Sequence, residues 1–73
     1  MKRFDVVAAW DAEAGVWWGG NDELPLTTEA PSFAEFEARA VEIGQEMAEV
    51  NGLVAPGEPV EIHVVKKAEP SAA

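Results

Sequence analysis

Seventy-three residues make one small domain, and a chain this short buries only about 60% of its unfolded surface, so a monomer is marginally stable. With no cysteine, neither a disulfide framework nor a thiolate zinc site can add to the core, which favours a reducing compartment. An apolar fraction of 48% is too high for a disordered chain, and 5 basic against 14 acidic residues give a net charge of -9, which argues against nucleic acid or an anionic membrane and favours a basic protein partner.

Arg3 to Trp10 reads as a strand, since Phe4, Val6, Ala8 and Trp10 alternate with Arg3, Asp5, Val7 and Ala9. Asp11-Ala12-Glu13-Ala14-Gly15 supplies a turn, with Gly15 suited to a positive φ. Val16-Trp17-Trp18-Gly19 is a second strand, β-branched and aromatic. Gly20-Asn21-Asp22 is a loop, and Leu24 to Thr28 a short third strand that Pro25 confines to an edge. These three form an antiparallel meander.

Pro31-Ser32 then opens a helix, where Ser32 and Glu35 make an S-x-x-E capping box. Phe33, Phe36, Ala40, Ile43, Met47 and Val50 form one apolar stripe, with Glu35, Arg39, Glu42, Glu46 and Glu49 mostly off it. Gly44 costs about 1 kcal/mol against alanine inside a helix. Close approach to a sheet would account for it, and so would chance. Asn51-Gly52 ends the helix, and Pro56-Gly57-Glu58-Pro59 is a loop. Val60 to Lys66 is the last strand, with Val60, Ile62 and Val64 on one face and Glu61 and His63 on the other.

One amphipathic helix needs one sheet face to cover, so the order βββαβ predicts an α+β two-layer sandwich over residues 1–66. A right-handed crossover places the last strand parallel to the first. Residues 67–73 read as a disordered tail. No apolar run is long enough to span a membrane, and Asp5 interrupts any signal-peptide core at once, so the cytoplasm is the expected location.

A loop from Ala12 to Gly15 sets Asp11 against Val16, Trp10 against Trp17 and Ala8 against Gly19. Opposed residues share a face, so Phe4, Val6, Ala8, Trp10 and Trp17 form the core side. Val7, Ala9, Val16 and Trp18 are left outside, with His63 and Val65 from the last strand. These six residues are the candidate interface, for a homodimer, a larger homo-oligomer or another protein. A slip of one residue would put Trp17 outside in place of Trp18. One tryptophan faces outward in either register.

Catalytic chemistry is poorly supplied. Gly19-Gly20 lacks the spacing of a phosphate loop. The serines are Ser32, a helix cap, and Ser71 in the tail, and His63 is the sole histidine. Asp22, Glu23 and Glu29 fit no calcium loop, and Lys66-Lys67 is too short for a nucleic-acid patch. A two-metal enzyme would need Asp5 to converge with Glu35 or Glu37 on metal ions, yet Asp5 falls on the face away from the helix. The expectation is therefore no enzyme, no metal and no cofactor.

Gly15-Val16-Trp17, Asp22-Glu23-Leu24-Pro25-Leu26, Thr28-Glu29-Ala30 and Ser32-Phe33 together resemble the HicB-like antitoxin fold, in particular short uncharacterised bacterial relatives of it. The resemblance covers residues 3 to 66. It implies a partial ribonuclease-H-like fold with sheet order 3-2-1-4 and one helix on one face. It also implies a protein that masks a small basic RNA-cleaving toxin. Full antitoxins of this kind carry a C-terminal DNA-binding segment, and only Lys67 to Ala73 follow here, so operator binding is not expected. Pro25-Leu26 also lacks the glycine that usually separates those positions. The alternative is a self-associating module with no toxin partner.

Overall fold

Burial alternates residue by residue along β1 (Lys2–Asp11): Phe4, Val6 and Ala8 are buried, whereas Arg3, Asp5 and Val7 are exposed. This is the period of a strand with one face on a core. The computed structural model describes residues 1–67, and after β1 come β2 (Val16–Asn21), β3 (Leu26–Ala30), α1 (Phe33–Val50) and β4 (Val60–Lys66). The sheet order is β3-β2-β1-β4, antiparallel at both hairpin pairs and parallel where β4 joins β1. The α+β sandwich, its strand order and its single helix are those expected from sequence.

Turn chemistry sets the register. The Asp11 carbonyl accepts from the Gly15 N–H at 2.8 Å, and Asp11 Oδ1 accepts from Glu13 N and Ala14 N. Gly15 takes φ 69°, a conformation that penalises a Cβ. Asp11 is therefore paired with Val16, Trp10 with Trp17 and Ala8 with Gly19, so Trp17 lies on the helix side and Trp18 outside.

The second hairpin differs from its sequence reading. β2 runs on through Gly20 and Asn21, and β3 starts at Leu26 and ends at Ala30, two residues later than expected. Asn21 is the cause. Its Oδ1 accepts from Glu23 N at 2.8 Å and Leu24 N at 3.1 Å, while its Nδ2 donates to the Asp5 carbonyl at 2.7 Å. This Asx turn places Pro25 in the connection rather than in a strand. Leu24, read as a strand residue, is a fully buried plug in the turn.

Ser32 Oγ accepts from Glu35 N at 3.2 Å and caps α1, the Ser32 half of the expected capping box. Asn51 ends it, and the Asn51 Nδ2 donates to the Met47 and Leu24 carbonyls, fastening the helix end to the β2–β3 turn. The core-facing row is Phe36, Ala40, Gly44 and Ala48, with Phe33, Ile43 and Met47 partly buried beside it. Val50 departs from the expected stripe: at 72% exposure it has turned off the core at the last helical turn. Gly44 has a packing reason, since a Cβ there would lie 2.7 Å from Ile62 Cδ1. Gln45 ties the helix to the entry of β4, donating to the Glu58 carbonyl and accepting from Val60 N.

Lys67 N donates to the Ala8 carbonyl at 2.7 Å, closing the Ala8–Lys66 pair that ends the β1–β4 ladder. The rest of the expected disordered tail, residues 68–73, lies outside those described.

Phe36 is fully buried beneath the sheet. Replacing it with alanine is expected to cost ~3–5 kcal/mol, comparable to the whole stability of so small a domain. A thermal melt followed by circular dichroism should lose its cooperative transition in Phe36→Ala; an unchanged melt would contradict the core assignment.

Candidate functional site

The helix covers one side of the sheet, and the other side is bare. Side chains on the bare side follow from the strand pairings. Glu29, Trp18 and Ala9 lie in one row across β3, β2 and β1. Thr27, Gly20, Val7 and Val65 make the next row, which reaches β4. Asp5 and His63 follow, then Arg3 and Glu61, while Asp11 and Val16 lie at the opposite end.

All six candidate interface residues fall on this side. Trp18 is 50% exposed, Val7 44% and Val65 39%, His63 is exposed, and Ala9 and Val16 are half-buried by their neighbours. The apolar members are contiguous in the middle, and His63 sits at one end beside Asp5. A half-exposed indole flanked by valines on a regular sheet is an anchor of the kind that carries interface energy.

A shallow groove of about 280 Å³ runs beside Trp18, lined among others by Val7, Ala9, Gly20, Thr27 and Lys67. Close backbone approach forms it. A Cβ on Gly19 would lie 1.8 Å from the Val7 carbonyl oxygen, and a Cβ on Gly20 would lie 1.8 Å from that of Leu26. Neither position can carry a side chain while β2 keeps both neighbours, so the face has a permanent gap between Val7 and Thr27. Sequence reasoning missed Thr27, Glu29 and Lys67 as members of this face. The third strand was set two residues early, and Lys67 was assigned to the tail. The alternating Thr27-Thr28-Glu29-Ala30 run before the helix cap was the available signal.

On the helix side a second aromatic feature closes the end of the sheet. Trp17 stands edge-on to Phe33 with centroids 5.2 Å apart, and Trp10 is tilted on Trp17 at 5.5 Å. Lys66 Nζ lies 4.6 Å from the Phe33 centroid and 5.5 Å from that of Trp17. Trp10, expected in the core, is on the core side but 39% exposed, because it lies beyond the first turn of α1.

The described residues hold no group of three or more His, Asp or Glu placed to bind a metal ion. Asp5 projects from the bare side, whereas Glu35 and Glu37 belong to the helix layer. The sheet thus separates the carboxylates that a two-metal site would have to bring together. Arg3 Nε pairs with Asp5 Oδ1 at 3.2 Å in the open, a contact worth little. No helix among the described residues is long and apolar enough to cross a membrane.

A family model described as a domain of unknown function, DUF1902, matches residues 3–72. The chain belongs to this family. Among solved structures it is similar to a hypothetical protein of the extremely thermophilic bacterium Thermus thermophilus, at 37% identity, a TM-score of 0.78, and coverage of 96% of this chain and 99% of that one. No curated protein matches. Neither finding indicates a catalytic family.

The two adjacent tryptophans should respond oppositely to mutation. Trp17→Ala removes a ring packed against Phe33 and the core, at an expected cost of about 3 kcal/mol. Trp18→Ala, measured at low micromolar concentration, should change stability by less than about 1 kcal/mol. Urea melts of the two variants check this, and equal losses would show that both rings are structural. Gly20→Ala should destabilise by on the order of 3 kcal/mol, by forcing β3 off β2.

Proposed function

We propose that this chain is a small acidic protein-binding module whose working surface is the bare face of the sheet, and that it acts in the cytoplasm in the manner of a HicB-type antitoxin, masking a small basic RNA-cleaving protein. The observation that carries the reading is the contiguous apolar surface around Trp18 on a chain of net charge -9. An aromatic patch supplies affinity on burial, and the surrounding negative field draws in a basic partner and repels nucleic acid. The helix adds to that field: Glu35, Glu37, Glu42 and Glu46 are exposed, against one basic residue, Arg39, whose guanidinium is engaged with the Glu29 carbonyl. The resemblance to HicB-like antitoxins supports the same reading. Self-association without a toxin partner is a second reading, favoured by the way large and small side chains are distributed across the bare face.

The test is to express the genes on either side of this chain's gene, search their products for a small basic protein that cleaves RNA, and assay that cleavage with the chain added; finding no such product would favour self-association. Stoichiometric addition of the chain should abolish cleavage, and the apparent affinity should fall steeply as salt is raised. Undiminished cleavage at a several-fold excess of the chain would overturn the masking role.

A further inference from the structure

We infer that the bare sheet face is occupied by a second copy of this chain, packed face to face about a two-fold axis that runs along the strands between β1 and β2. The inference rests on reading that face as a protein-binding surface and takes the second, self-association reading, with another copy of the chain in the place of the basic partner.

The argument is the order of side chains across the two middle rows. From β3 to β1, one row reads Glu29, Trp18 and Ala9, and Lys67, the residue after β4, lines the groove beside Trp18 on the same face. The other reads Thr27, Gly20, Val7, Val65. A two-fold axis along the strands reverses this order in the facing copy, so β3 lies over β4 and β2 over β1. Glu29 then meets Lys67, Trp18 meets Ala9, Gly20 meets Val7 and Thr27 meets Val65. Three of these four contacts are complementary, one acid to base and two large to small, and the fourth sets two side chains of similar size together. One surface serving both subunits is what a two-fold interface requires.

The packing is also geometrically ordinary. Such an axis keeps the strands of the two copies aligned, the common arrangement for stacked sheets, with the twist of about 30° confining the strict register to the middle rows. A stable interface buries about 800 Å² per partner, about one sixth of the 4812 Å² that the chain exposes. Strand edges are weaker candidates: β3 lies between Pro25 and Pro31, and Pro59 precedes β4. The pairing yields four layers with the sheets inside and both acidic helices outside.

The experiment is sedimentation equilibrium of the intact chain from low micromolar to near-millimolar concentration, with charge-reversal variants. The wild type should reach twice the 7.8 kDa chain mass. Glu29→Lys and Lys67→Glu, both exposed, should each weaken the dimer on the order of tenfold, since each places like charges together twice per interface. The double variant should recover wild-type association, and Trp18→Ala should be monomeric while keeping its cooperative melt. A monomeric wild type at the highest concentration would overturn the inference, as would failure of the double variant to recover. If the monomeric wild type binds the basic protein and Trp18→Ala does not, the second copy is excluded and the face remains a protein-binding surface. Loss of both activities would remove that reading as well.

Discussion

Along one row of α1 the side chains are Phe36, Ala40, Gly44 and Ala48, four positions spaced one turn apart, and all four are buried. Three of them are small. The helix backbone therefore comes close to the sheet, and Ile62 of β4 reaches into the space a side chain at Gly44 would fill. Phe36 supplies bulk nearer the first turn of the helix, and Leu24 and Val54 add to the buried cluster from the connecting segments. The domain gains a dry interior from few residues, because a helix held this near leaves little volume to fill. Gly44 sacrifices helix propensity for that approach, a cost of about 1 kcal/mol.

This economy dictates what is left over. A single helix of 18 residues covers one side of a four-stranded sheet and no more. Nothing among the described residues lies over the other side, yet its centre carries Val7, Val65 and Trp18 rather than the charges expected of a solvated sheet. Gly19 and Gly20 extend the consequence. They let β2 sit tightly between β1 and β3, and they leave a gap beside an exposed indole. Shape on this face is thus a by-product of how tightly the backbone packs on the two sides of β2.

The aromatic ladder shows the same constraint from the core side. Trp17 must point opposite to Trp18, and its ring packs against the core with Phe33 edge-on to it and Trp10 tilted on it. Lys66 completes the cover, its ammonium over the Phe33 and Trp17 rings, a contact worth about 0.5–1 kcal/mol at an exposed site. One of the chain's five basic residues is thereby drawn onto its aromatic end.

Alternation in Arg3–Trp10, the four-residue turn closed by Gly15, the Ser32 cap and the helical period that follows are all local features. Each was legible because strand, turn and cap chemistry act over two to four residues. That legibility extended to the outward placement of Val7, Ala9, Val16 and Trp18, since the turn sets the register and the register sets the face. The start of β3 was not legible. It depends on Asn21, whose side chain bonds Asp5, sixteen residues away, and Leu24 beside it. Val50 and Gly44 were decided at the same level, one by the helix running past the sheet's cover and the other by Ile62 arriving from β4. The rows Glu29-Trp18-Ala9 and Thr27-Gly20-Val7-Val65 also draw on segments far apart in the chain. Sequence determined which residues point outward because that is a period of two along each strand; only the tertiary structure decided which of them are neighbours, because the alignment of β3 and β4 is set by contacts between distant segments.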